Sequence, residues 1–172
     1  MNEERQRLLN EIGITKMESE LGIYDWNEIS KYVILSEEFI RTFQKKLSWT
    51  SICTKQRLSE DFIREFKNKI YWHSLSRYQT LSEDFIREFK DDVEWVPISK
   101  YQQLSDDFLV EFKRKIDWGD YFRSQKASFA IIKKFILNSD VEKLSYFESS
   151  HLNSEQKEVI GKMLELKYMF TK

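Results

Sequence analysis

Five tryptophans stand at positions 26, 49, 72, 95 and 118, each 23 residues after the last. Independent residues do not fall on one period, and a fixed period of this length signals a stacked array of small units. Other columns keep the same phase: Leu35, Leu58, Leu81 and Leu104; Phe39, Phe62, Phe85 and Phe108; Phe43, Phe66, Phe89, Phe112 and Phe135; Ile40, Ile63, Ile86, Leu109 and Ile132. The clearest copies read LSEDFIREFKNKIYWHSLSRYQT and LSEDFIREFKDDVEWVPISKYQQ.

Each copy reads as two helices. The first begins at Ser59, Ser82 or Ser105, hydroxyl residues suited to cap the open amides of a first turn. Paired acids follow (Glu60-Asp61, Glu83-Asp84, Asp106-Asp107), where the helix dipole favours negative charge. Lys67, Lys69, Lys113 and Lys115 collect at the other end. Leu81, Phe85, Ile86, Phe89 and Val93 share one face of a helix of about 11 residues. The second helix runs from about Trp95 to Tyr101, with Pro97 in its tolerant first turn. Asp25, Ser48, Glu94 and Asp117 precede Trp and are placed to cap it.

Helices this short do not persist alone in water. They bury their apolar stripes only by stacking on copies of themselves, which is an α-solenoid. The expected fold is therefore all-α, with five to six two-helix units of either hand forming one domain over 1–172. Residues 1–25 are expected to cap the start, with MNEERQRLLNEI as an amphipathic helix, and 26–149 to carry the repeats. Residues 150–172 supply a capping helix from about Ser154 to Phe170, with Val159, Ile160, Met163, Leu164 and Leu166 on its apolar side. The fifth unit weakens at Ala127, and Val141 stands where a sixth Trp would fall. Trp72 and Trp95 are expected to be buried between layers.

The motif W-x-x-[IL]-S-[KR]-Y-Q-x-L-S-E-D-F-I-R-E-F resembles a repeat of large DNA viruses, bacteriophages and some bacterial proteins. Here it is carried by LSEEFIRTF, LSEDFIREF twice and LSDDFLVEF, joined by WHSLSRYQT and WVPISKYQQ, over about residues 24–126. The resemblance implies a helical-repeat scaffold of viral or phage origin and brings no catalytic motif. The first copy departs at Val33-Ile34 and the fourth at Val110 and Phe122.

Composition narrows the function. One cysteine, Cys53, forbids an internal disulfide, and it sits in the column of Ser30, Ser76 and Ser99 as a small-residue replacement. His73 and His151 lack metal-ligand spacing. The four glycines form no nucleotide fingerprint, and serines that recur once per copy are caps, not nucleophiles. No catalytic residue, cofactor or metal is expected. No run approaches the ~18 apolar residues of a membrane span, so the expected setting is cytoplasmic, without membrane or small-molecule partners. The paired acids read as a solvated face, with Glu37→Arg41, Glu60→Arg64 and Glu83→Arg87 in the favourable i,i+4 orientation.

Two binding classes remain. A protein partner is the first, because stacked helices present an extended surface; a host or bacterial defence protein would suit the viral resemblance. Nucleic acid is the second, through Lys31, Arg77, Lys100 and Arg123 beside Tyr32, Tyr78 and Tyr101, since helical repeats can read bases by stacking. Against it, residues 21–149 carry 21 acids and 21 bases, and phosphate binding relies on a basic field. The candidate contact residues are those that break a polar column: Tyr71, which replaces a capping residue, Val110, which replaces Arg, and Phe122, which replaces Ser. His73 and Arg77 flank them as a polar rim.

Overall fold

The structure, a computed structural model, describes residues 2–125, 128–138 and 152–170. Ala127, Val141 and His151 lie outside the described residues. Those described hold only α-helices and short 3₁₀ turns, in the regular pairs of an all-α repeat solenoid. They divide into two compact units, Met1–Val93 and Glu94–Lys172.

In the first unit, α1 (Asn2–Glu11) precedes three Trp helices, α2 (Ile23–Tyr32), α4 (Trp49–Lys55) and α6 (Trp72–Tyr78). They alternate with Ser-capped helices α3 (Glu37–Phe43), α5 (Glu60–Glu65) and α7 (Glu83–Glu88). In the second unit the Trp helices are α8 (Trp95–Tyr101) and α10 (Trp118–Ser124). The Ser-capped helix α9 (Asp106–Glu111) lies between them, and α11 (Phe129–Asn138) and α12 (Ser154–Phe170) follow.

The Ser-capped helices start where the hydroxyl column predicts. Ser36, Ser59, Ser82 and Ser105 accept the amides of Phe39, Phe62, Phe85 and Phe108 at 3.1–3.2 Å. They end sooner than predicted: α5, α7 and α9 are six residues long, not about 11. Phe66 already leaves helical geometry at φ −109, ψ 20, and a 3₁₀ turn at Lys67–Lys69 follows. The same turn recurs as amides of Lys46, Lys69, Asp92 and Lys115 donate to Phe43, Phe66, Phe89 and Phe112 carbonyls at 2.8–2.9 Å. Its effect is to return Leu47, Ile70, Val93 and Ile116 to the core. The apolar stripe was thus legible, but a tight turn completes it in place of further helix.

Each Trp lies against the Phe 17 positions later, with ring centroids 5.0 Å apart for Trp26–Phe43 and 5.1 Å for Trp72–Phe89. Trp26 is buried, whereas Trp49, Trp72, Trp95 and Trp118 are half-buried, which corrects the expectation of full burial. The indole edge points outward because its N–H seeks a loop carbonyl, Gln44 O for Trp49 (3.0 Å) and Lys113 O for Trp118 (2.8 Å). Trp26 has no such partner and leaves its N–H buried and unbonded.

Two polar columns hold successive copies together. The Ser30 hydroxyl donates to Trp26 O (2.6 Å) and accepts the Ser48 amide (3.0 Å); Ser99 does the same between Trp95 O and the Asp117 amide. Cys53, fully buried, keeps the acceptor role by taking the Tyr71 amide on its sulfur, while burial pushes its thiol pKa up. The glutamines that follow α4, α6 and α10 each clamp the copy before. Gln56 Nε2 donates to Val33 O (2.8 Å) and Ser30 O (3.3 Å), and its Oε1 accepts the Leu35 amide (2.9 Å). Gln79 repeats this on Cys53 O, Gln56 O and the Leu58 amide, and Gln125 reaches Lys100 O and Gln102 O. Carbonyls at the end of one helix are thereby satisfied from the next copy.

The flanking helices act as covers. Leu8 and Leu9 of α1 are buried, and Arg5 fixes that helix through Glu18 (2.6 Å) and Thr42 O (3.0 Å). In α12, Ile160 and Leu164 are buried and Lys167 Nζ donates to Ile136 O at 2.8 Å. Val159 and Leu166 are exposed, so the covering stripe is narrower than the sequence suggests.

Candidate interaction surface

The acids of the Ser-capped helices are occupied internally. Glu37 accepts the Ser59 amide and Glu60 the Ser82 amide, both at 2.7 Å. Arg41 and Arg64 sit loosely on their i,i+4 acids, at 3.4 and 3.8 Å, and more tightly on the following copy, at 2.8 Å from Glu65 and Glu88. Each guanidinium also covers a ring of that copy, Phe62 at 4.9 Å and Phe85 at 5.2 Å. This face is a solvated structural ladder, as expected.

The outer side of the Trp helices is different. In the first unit, Ile23, Tyr24, Tyr32, Tyr71 and Tyr78 are all exposed, and Ile34 is 90% exposed. Lys31 Nζ lies 4.8 Å from the Tyr32 ring and Arg77 Cζ 5.0 Å from the Tyr78 ring. Lys55 occupies the Tyr column on α4, which packs against both α2 and α6. Two tyrosines and a lysine thus share a repeat position on three neighbouring helices. In the second unit Tyr101 and Val96 are exposed, with Lys100 Nζ 5.5 Å from the Tyr101 ring.

Of the predicted contact residues, Tyr71, His73 and Arg77 fall together at α6 with exposed side chains. Tyr71 is 54% exposed and occupies the N-cap position without making a side-chain cap, whereas Ser48 and Asp117 accept the amides of Ser51 and Asp120. Glu94 makes no side-chain cap either, and Asp25, three residues inside α2, caps from there by accepting the amide of the N-cap Gly22 at 2.8 Å. Val110 is 41% exposed on α9.

Phe122 must be withdrawn. It is 1% exposed, stacked 5.5 Å from Trp118 and edge-on to Phe135 at 5.4 Å. The serine column it interrupts is itself buried, so an apolar replacement there fills the core. Next to it Tyr121 is also buried, which, with Asp106 adding to the effect, pushes its phenol pKa up to about 12.

The sequence reading overlooked Lys45 and the groove beside it. This groove, of about 730 Å3, runs between the chain at 44–50 and that at 68–71, with Asn27 at its edge. None of its lining residues is acidic. Lys69 crosses it, donating to Gln44 Oε1 and lying 5.6 Å from the Trp49 ring. No column break marks Lys45, so only the fold brings it to notice.

Among the described residues no group of three or more His, Cys, Asp or Glu is gathered to hold a metal ion. None of their helices is long and apolar enough to cross a membrane. No protein-family model, curated protein or solved structure matches the chain. The fold alone sets its class, an all-α helical-repeat protein.

Proposed function

We propose that the chain is a non-catalytic module that binds another protein through the outer side of its Trp helices. The observation that carries this is the exposed set Tyr24, Tyr32, Ile34, Tyr71 and Tyr78 in one compact unit. Single exposed apolar residues are ordinary, but tyrosines at one repeat position of α2 and α6, either side of α4, give large, rigid contact area of the kind that dominates protein interfaces. Packed helices lie about 8–10 Å apart, so Tyr32 and Tyr78 would span about 20 Å of a partner. The resemblance to viral and phage repeats extends the proposal: the partner is a host or bacterial defence protein, sequestered or blocked in the cytoplasm.

Panning a displayed library of domains and peptides against the chain tests this, with a Tyr32→Ala/Tyr78→Ala variant alongside. Enrichment of protein binders that the variant no longer retains is the expected result. Failure to enrich any binder, or binders indifferent to both tyrosines, refutes it.

Nucleic acid is the second reading, favoured by the cations lying over Tyr32, Tyr78 and Tyr101. It requires retention of single-stranded RNA or DNA at physiological salt, reduced by Arg77→Glu with Lys100→Glu. Retention lost between ~50 and ~200 mM salt rejects it.

A further inference from the structure

We infer that the groove between 44–50 and 68–71 receives a short acidic segment of the protein partner; this rests on the protein-binding reading and supplies the chemistry of one contact. Tyr71 opens the case. Of the other four residues in its column, three are acids and one is serine, all small or polar groups suited to a helix start. A tyrosine there provides no cap to α6 and leaves a large aromatic side chain exposed. Ser48 and Asp117 cap their helices from the same position, and capping residues contribute measurably to helix stability, so Tyr71 gives up the cap that those two provide. Departures of that kind collect at functional sites.

The surroundings say what would be bound. Two lysines, Lys45 and Lys69, line the groove, and no carboxylate does. Lys45 makes no hydrogen bond or ion pair among the described residues, and Lys69 is held by the neutral Gln44 and by two aromatic faces, Trp49 and Phe66. Both charges are therefore left without a carboxylate partner. One copy further on, the corresponding turn carries Asp91 and Asp92 and the cap column Glu94, so the positive bias belongs to this groove and not to the repeat as such. Asn68 offers an unbonded amide that can donate to and accept from an extended peptide backbone. Tyr71, 54% exposed, supplies a ring for the apolar part of a Glu or Asp side chain.

A long polyanion fits less well. Asp91 and Asp92 stand at the next turn, and α3, α5 and α7 each carry more acids than bases, so only a short anionic stretch avoids repulsion. Phosphate-backbone binding gains its strength from many neutralised charges together, and this groove offers two.

The test is fluorescence anisotropy with a labelled Glu- and Asp-rich peptide on the full chain, against Gln/Asn-rich and Lys/Arg-rich peptides of equal length and a single-stranded DNA oligonucleotide. The acidic peptide should bind most tightly. Lys45→Glu should weaken it about tenfold. Tyr71→Ser should also weaken it while leaving the thermal midpoint equal or higher, because the serine restores a cap. A photo-reactive acidic peptide should cross-link within 44–50 or 68–71. Equal affinity for the acidic and neutral peptides, unchanged binding by Lys45→Glu, or cross-links elsewhere would overturn the inference. So would an oligonucleotide that binds more tightly than the acidic peptide and is lost with Lys45→Glu, which would assign the groove to nucleic acid. Library binders that survive Lys45→Glu but not the Tyr32/Tyr78 variant would remove the groove and leave the protein-binding reading intact.

Discussion

Gln56 offers the sharpest test of how the copies are joined. It is 4% exposed and makes three hydrogen bonds across to the previous copy, from Nε2 to Ser30 O and Val33 O and from the Leu35 amide to Oε1. Replacing it with Met keeps the length of the side chain and removes every one of them. At about 1 kcal/mol for each backbone group left unpaired, the low end for buried groups, the loss is at least about 3 kcal/mol. The more apolar side chain returns about 1 kcal/mol on burial, leaving at least about 2 kcal/mol. With a urea slope of about 2 kcal/mol/M, the unfolding midpoint should fall by at least about 1 M. Arg57→Met, one residue on at an exposed site, is the control and should stay within about 0.5 kcal/mol. Hydrogen exchange gives a local reading, since the Leu35 amide should lose protection in Gln56→Met and keep it in the control. A midpoint equal to that of Arg57→Met, with Leu35 still protected, would show that the buried glutamine column is not what fastens one copy to the next.

Tyr121 should titrate near pH 12 in an alkaline absorbance titration, after the exposed tyrosines; its folded pKa is raised, so its contribution to stability is complete below the ordinary value near 10 and lost as pH rises through about 12, and Tyr121→Phe should abolish that late loss. Cys53 should resist thiol reagents until the chain unfolds. Cys53→Ser should change stability by less than about 1 kcal/mol because the hydroxyl still accepts the Tyr71 amide, while Cys53→Val should cost more, about 1–3 kcal/mol, by leaving that amide unpaired. Val110→Arg combined with Lys134→Glu should be more stable than the two single changes predict by up to about 0.5 kcal/mol, since together they rebuild the arginine ladder; strict additivity in the mutant cycle would reject that account.

The apolar columns were legible because helical packing repeats the same side chain at the same place, and Ser caps and the bounds of α12 followed from local chemistry alone. The polar columns were not. Ser30 and Gln56 look like surface residues when read one copy at a time, yet their partners lie 18 to 26 positions away. Burial of the serine column is what makes Phe122 a core residue, and nothing local announces it. The short Ser-capped helices escaped notice for a related reason: EFKNKI reads as continuing helix, and only the packing of Ile70 favours a turn. At the candidate surface, exposure of Tyr71 could be read from its broken column and that of His73 and Arg77 from their polar character beside it, whereas the acid-free lining of the groove depends on two loops brought together by the fold.

The columns also show which departures need a binding explanation. The offsets used by Gln56 and Gln79, when counted back from Val33, land on Arg7, Asn10 and Ile12, in and just after α1 rather than at the end of a Trp helix. There the Asn10 carbonyl already receives Gly13 at 2.9 Å and the Ile12 amide already donates to Leu9 at 3.3 Å. A glutamine at 33 would find nothing to clamp, and Val33 packs on the core instead. Counting forward from Val110 by the offsets that take Arg41 to Phe62 and Glu65 leads to Ile131 and Lys134. Neither the ring nor the carboxylate is present there, so an arginine would gain no partner and would meet a like charge. Phe122 is explained by burial. Each of these departures answers to its neighbours within the array. Tyr71 and Ile34 do not: both are exposed, both stand where a smaller or polar side chain would serve the fold, and neither has a neighbour that requires the change. Nothing within the array explains those two residues, and the protein-binding proposal predicts that a partner covers them.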